Sequence, residues 1–219
     1  AHANQLNFVG SASVVPLIQL TAEAFQKSSG ISISLKGTDT KTGIKVIGGE
    51  NQDFGVADVS MTTRGLRKQE RVLFPFLKAI PIANEGIALV VNKQNPIANM
   101  STQQVQSALF TDDTNWGSVM GRDAAVLTNE PIYLISKDTK HDMFPVFAKT
   151  FQIGRKFKKE GNYIYFSKRD SDTFSQTQKV EMINPDQRIL AKVKFKPNAL
   201  AYISFASFSA LKEFDAKII

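Results

Sequence analysis

The strongest constraint in this chain is an alternation of strand and helix patterns over residues 5–58, joined by connections too short to let the elements separate. Residues 5–9 are apolar enough for a strand, closed by Gly10-Ser11-Ala12-Ser13. From Pro16, which fits a first helical turn, Leu17, Leu20, Ala24 and Phe25 recur at helical spacing until Ser28-Ser29-Gly30 ends the run. Ile31-Ser32-Ile33-Ser34-Leu35 alternates with period two and predicts a half-buried strand. Residues 37–42 turn into a short helix over 43–47, stopped by Gly48-Gly49, and a strand over 53–57 is predicted to end on Asp58. Such a β-α-β-α-β order implies a parallel sheet. Ligands of open α/β sheets bind beyond the carboxyl ends of the strands. The corners at Gly10-Ser11-Ala12-Ser13, at Thr38-Asp39-Thr40-Lys41-Thr42 and at Asp58 are therefore expected to share one polar pocket, with Asp58 as its acceptor.

Further along, a charged helix is predicted over 64–73, and then an extended stretch over 80–92 kinked by Pro81 and Gly86. A strand of that length could cross from one lobe to another. Beyond it the pattern predicts a helix over 102–110, a strand over 132–136, a helix reaching Phe151, a polar irregular region over 156–186, a helix over 187–193 and a strand over 199–204. Two crossings give two lobes on a two-strand hinge: residues 1–83 plus 205–219 in the first, and 84–204 in the second.

Composition narrows the chemistry. No cysteine is present, which removes disulfides, thiol nucleophiles and cysteine metal sites together. His2 and His141 are too few and too far apart for a metal centre, and no nucleotide-binding or nucleophile-elbow motif occurs. With no nucleophile–base pair legible, the chain is expected not to be an enzyme and to need no cofactor. No apolar run approaches the ~20 residues of a membrane span. The net charge of +7 favours anionic partners, and Arg155-Lys156-Phe157-Lys158-Lys159 is its densest cluster. That run is expected to be a solvated loop or helix face rather than a nucleic-acid site. The opening Ala1-His2-Ala3 reads either as the scar of a removed export signal or as an arbitrary end. Helix N-termini leave unsatisfied N–H groups and hold oxyanions, so Ser13 and Thr40 either cap their helices or serve an anion site.

Taken in order, Gly10-Ser11-Ala12-Ser13-Val14, Gly43-Ile44-Lys45, Asp53-Phe54-Gly55-Val56-Ala57-Asp58, Ala88-Leu89-Val90-Val91-Asn92 with Asn95-Pro96, Leu109-Phe110-Thr111 with Asn115-Trp116, Pro131-Ile132 and Asn198-Ala199-Leu200-Ala201-Tyr202-Ile203-Ser204 resemble the periplasmic phosphate-binding proteins of bacterial ABC importers. The resemblance covers nearly the whole chain and rests on the order and spacing of short motifs. It implies an α/β, two-lobed type II binding-protein fold, each lobe a mostly parallel sheet flanked by helices, that closes on a dehydrated oxyanion. It implies a periplasmic or secreted monomer that delivers phosphate, or a related oxyanion, to the membrane subunits of an importer. It also leaves open a relative that binds another ligand or none and acts in sensing, adhesion or protein interaction. By this resemblance the first-lobe ligands are Ser11, Ala12, Ser13, Thr40 and Asp58, the aspartate accepting the proton of hydrogen phosphate and repelling sulfate. The second lobe departs from the family's arginine and Asp-Gly-Ser-Gly-Thr turn, because the matching stretch is Ser136-Lys137-Asp138-Thr139-Lys140-His141-Asp142. Ser136, Thr139, Lys140 and His141 are carried over as its ligand positions. Pro145 places the following helix start near Asp142, which would then cap it. Lys137, Lys140 and His141 either restore positive charge by another geometry or solvate the loop.

Overall fold

The computed structural model describes residues 4–84, 86–111, 114–169, 171 and 178–219. The chain divides into two compact units, Ala1–Glu85 and Gly86–Ile219. The first is built on strands β1 (Gln5–Ser11), β2 (Ser32–Thr38) and β3 (Val59–Met61), in the order β2-β1-β3 with every pair parallel. Helix α1 (Val15–Ser29) starts with a proline in its first turn and stops at Gly30, whose φ of 73° is left-handed. Helix α2 (Thr40–Ile47) follows β2 directly, and α3 (Lys68–Leu73) follows β3. The core is small: Val9, Val46 and Ala57, flanked by Ile47 and Phe54.

Two glycines set the spacing of this unit. A Cβ on Gly43 would lie 2.6 Å from the Gly10 Cα, and Gly10 itself is held at φ 148° against β3. Helix α2 thus lies directly on β1, which brings its first residue, Thr40, to the carboxyl end of the sheet. The segment expected as a strand over 53–57 is instead a 3-10 turn, Gln52–Phe54, followed by left-handed Gly55. Phe54 leaves the sheet to cover the Val9–Val46 cluster, and Lys36 lies 4.7 Å above its ring. The strand starts only at Val59.

The second unit holds β4 (Ile87–Asn92), α4 (Thr102–Phe110), α5 (Trp116–Met120), β5 (Tyr133–Ser136), α6 (Phe144–Thr150), β6 (Ile153–Glu160), β7 (Tyr163–Lys168), β8 (Val180–Met182), α7 (Asp186–Phe195), β9 (Ala199–Ser204) and β10 (Ala216–Ile218). Its sheet runs β10-β4-β9-β5-β8-β7-β6. Among the described residues the parallel pairs are β5 with β8 and β5 with β9 and the rest are antiparallel, so the mostly parallel arrangement expected of both lobes holds for the first sheet and not for this mixed one. The physical reason is local: Gly161 at φ 60° allows a tight turn that folds β7 back on β6. Residues 156–186, expected to be irregular, thus contain three strands. One face of the sheet buries Phe144, Phe147, Phe166 and Tyr202, with Phe147 stacked on Tyr202 at 4.2 Å. The other face packs Ile189, Leu190 and Val193 of α7 on β4 and β9.

Two further expectations are corrected. The extended stretch over 80–92 is a strand only from Ile87, and residues 77–84 carry no regular structure. The segment 205–219 does not join the first unit, because β10 pairs antiparallel with Val90, Val91 and Asn92 and buries Ala216 and Leu211 against the α7 side of the sheet.

The glycine contact makes a direct prediction. Gly43→Ala should lower stability by about 1–3 kcal/mol, the range for forced overpacking. Gly65→Ala, where nothing lies within 4 Å of the added methyl, should be near neutral in the same urea titration.

Candidate functional site

At the carboxyl end of the first sheet the three strands deliver hydroxyl groups to one place. Ser11 closes β1 and is 1 % exposed. The turn after it is fixed by the Ala12 N–H donating to the Thr38 carbonyl at 3.0 Å and the Val14 N–H donating to the Ser11 carbonyl at 3.0 Å. Thr40 is 2 % exposed. Its hydroxyl lies 3.2 Å from the Thr63 hydroxyl and accepts the Thr63 N–H at 3.2 Å. Thr63 stands in the loop leaving β3, two residues after the buried Met61.

Arg64 follows, and its guanidinium grips Glu70 through two bonds of 2.7 Å. That fork, opposed by some desolvation and aided by the Arg67 N–H, lowers the Glu70 carboxyl from 4.5 to about 2. Neither Ser13 nor Thr40 caps a helix: α1 begins after Val14 without a side-chain cap, and Asp39 caps α2 by accepting from the Thr42 N–H at 3.0 Å. Burial pushes the Asp39 carboxyl up, but the Thr42 hydroxyl and amide bonds outweigh it and hold the group ionised. An open groove of about 430 Å³ between α1 and β2, lined by Val15, Gln19, Ile33 and Leu35 among others, contains none of these hydroxyls.

Asp58 is elsewhere. It stands at the amino end of β3, exposed, with its carboxylate accepting the Asn7 N–H at 2.8 Å. Asn7 precedes Ser11 by four residues of strand, about 13 Å at ~3.3 Å per residue. The position expected for the acceptor is filled by Thr62, Thr63 and Arg64 instead. Their signal was present in the sequence as a third strand end rich in hydroxyls.

In the second unit Ser136 closes β5, fully buried, and turns its hydroxyl onto the Lys137 carbonyl at 2.9 Å. Lys137 is 1 % exposed and is ion-paired with Asp186 at the start of α7. The second Asp186 oxygen accepts the Ser204 N–H at 3.1 Å and the Ser207 hydroxyl at 2.6 Å. The phenol of Tyr202 lies beside Ser136 and the Lys137 backbone; burial pushes its pKa up, and it completes no well-aligned hydrogen bond among the described residues. His141 uses Nδ1 to accept the Met143 N–H at 3.1 Å. Burial and then the Lys137 charge hold its pKa down, so the ring is neutral and restores no positive charge. Lys140 is exposed and Thr139 half-buried. Asp138 accepts the Lys140 N–H at 2.8 Å and the Lys159 ammonium at 3.3 Å. Asp142 does not cap α6, which begins at Phe144 after Met143 with no side-chain cap. Sequence reasoning missed Asp186, Ser204 and Ser207, which only the tertiary fold brings to Lys137. No cluster able to hold a metal ion occurs among the described residues.

Comparison with known proteins gives a consistent picture. A family model described as the PBP superfamily domain matches residues 1–216. Phosphate-binding protein PstS 2 of Streptococcus agalactiae is 34 % identical over 111 residues, 50 % of this chain and 36 % of that protein. Protein SphX of Synechococcus elongatus is 27 % identical over 121 residues, 50 % and 34 % of the two chains. These matches therefore span little more than a third of the curated relatives. Among solved structures, a phosphate ABC transporter substrate-binding protein with bound phosphate from Clostridium perfringens superposes with a TM-score of 0.64 at 23 % identity, covering 98 % of this chain and 74 % of that one. The regulatory domain of OxyR2 from Vibrio vulnificus gives 0.58 at 10 % identity, covering 99 % and 81 %. At such identities the likeness is one of fold.

Two predictions test the geometry. Glu70 has a depressed folded pKa, so its contribution to stability is complete above pH 4.5 and is lost as pH falls through about 2. Arg64→Ala should move the Glu70 carbon resonances in an NMR titration back towards an ordinary carboxylate midpoint. Asp186→Ala should cost about 3–5 kcal/mol in urea unfolding, because it leaves the Lys137 charge buried without its partner.

Proposed function

The chain belongs to the PBP superfamily, and from that premise we propose that it captures a small oxyanion, phosphate foremost, outside the cytoplasm and hands it to the membrane subunits of an ABC importer. The observation that carries this reading is the convergence of Ser11, Thr40 and Thr63 at the carboxyl ends of three parallel strands. Hydroxyl donors and turn amides suit an anion that must be bound without water and without a large excess of charge. That PstS 2 is a phosphate-binding protein and that the Clostridium perfringens protein holds bound phosphate support phosphate as the ligand.

In the first unit the proposed ligands are Ser11, the Ala12 amide, Ser13, Thr40, Thr63 and Arg64, whose guanidinium is oriented by Glu70. Asp58 has no part in this set, since it lies at the opposite end of β3. In the second unit Thr139 and Lys140 are the proposed ligands, while Ser136 and His141 are committed to backbone contacts. The chain has no catalytic role in this reading. Binding a preformed oxyanion requires neither a nucleophile nor a base.

Calorimetry with phosphate and sulfate tests the proposal. Phosphate should bind, and Thr63→Val should weaken it about tenfold, as expected for losing one hydrogen bond to a charged group. Asp58→Asn should leave the affinity unchanged. Absence of heat with millimolar phosphate, or loss of binding through Asp58→Asn alone, would overturn it.

A further inference from the structure

The basic run at 155–159 is neither a loop nor a helix face. It lies in β6, the outermost strand of the seven-stranded sheet, with β7 as its one strand neighbour among the described residues. Eight residues at ~3.3 Å each make an edge of about 26 Å. The opposite edge, β10, has three residues. From Arg155 to Glu160 every residue of β6 is exposed, including Phe157 at 43 %. No backbone hydrogen bond links residues 154–160 to any described residue outside the β6–β7 pair. The ladder with β7 is regular over Phe157, Lys158, Lys159 and Glu160. It shifts register before Phe157, where the Ser167 hydroxyl donates to the Lys156 carbonyl at 2.6 Å.

A long exposed edge is a template for another strand, and proteins that do not use such an edge shorten, cover or charge it. This edge is not short, and no described residue pairs with its backbone on the open side. Its charge is of one sign: Arg155, Lys156, Lys158 and Lys159 stand against the single Glu160. Lysine on an edge blocks pairing with a second copy of the same strand, because like charges would face each other. The same charges favour a strand of opposite sign. Lys158 pairs with Glu160 at 2.5 Å and Lys159 with Asp138 at 3.3 Å. Both pairs are solvent-exposed, and exposed pairs of this kind exchange at little cost.

We propose that the β6 edge is a docking strand for an acidic, extended segment of a protein partner, which adds to the sheet beside residues 157–160 through main-chain hydrogen bonds. Successive side chains of a strand point to opposite faces, so carboxylates on one face of the partner meet Lys158 and those on the other face meet Lys159, with Lys156 and Arg155 flanking. Main-chain bonding supplies affinity, and charge selects the partner. The strand belongs to the second unit, and the proposal does not rest on what the hydroxyl corner of the first unit binds.

The test uses the full chain and a fluorescent octapeptide of alternating Thr and Glu, read by anisotropy at low salt together with amide hydrogen exchange. The peptide should bind and should slow exchange at residues 157–160. A peptide of the same side chains, N-methylated at every residue, should bind at least about tenfold more weakly, because neither of its edges can donate. Charge reversal by Arg155→Glu with Lys158→Glu should weaken the Thr–Glu peptide by about the same factor and turn preference to a Thr–Lys peptide. Three results would overturn the proposal. The first is equal binding of the N-methylated peptide, which would mean attraction by charge alone. The second is adsorption to phosphatidylglycerol vesicles without peptide binding. The third is no interaction at millimolar peptide.

Discussion

A buried lysine held by one aspartate organises the second unit. Lys137 leaves the end of β5, and Asp186 opens α7, so their ion pair ties a strand to the helix that covers one face of the same sheet. The remaining oxygen of Asp186 takes the Ser204 amide and the Ser207 hydroxyl, which fixes how β9 ends. Charges this deeply buried persist only when paired and hydrogen-bonded on both sides. The arrangement decides the electrostatics of the loop that follows. The one cation at the strand end is already compensated, and His141 is neutral, so the loop over 138–142 offers an incoming anion the exposed Lys140 and little else.

In the first unit the corresponding constraint is steric. Gly10 and Gly43 let α2 rest on β1 with no side chain between them, and this places Thr40 where the loop after β3 can reach it. The Arg64–Glu70 fork then holds that loop from its far side. The hydroxyl corner therefore consists of rigid elements and their first turns. An anion binding there meets donors that are already oriented and gives up little affinity to ordering them.

How much of this was legible depended on whether a residue's role was local. Helix α4 falls on the residues read for it because Ser101 and Gln104 form a reciprocal capping box with bonds of 3.2 and 2.8 Å. Strand β9 was plain because all six of its residues are buried and apolar or small. Asp58 misled because Phe54-Gly55-Val56-Ala57 has the composition of a strand, whereas Phe54 is needed in the core and Gly55 takes a left-handed φ of 78°. β6 was missed for the opposite reason: an edge strand with both faces in solvent carries no alternation of apolar and polar residues to read. The pairing of β10 with β4 and of Lys137 with Asp186 joins residues far apart in the chain, and no short pattern encodes either.

The distribution of aromatic residues has an optical consequence. The chain has one tryptophan and four tyrosines, and all five, Trp116, Tyr133, Tyr163, Tyr165 and Tyr202, belong to the second unit. Trp116 is fully buried, with its indole N–H donating to the Asn198 carbonyl at 3.0 Å. The first unit contains only phenylalanine among its aromatic residues and is nearly dark in the near ultraviolet. Intrinsic fluorescence and near-ultraviolet dichroism therefore report on the second unit. Melting of the hydroxyl corner would leave those signals almost untouched and show itself in the far-ultraviolet amide bands alone.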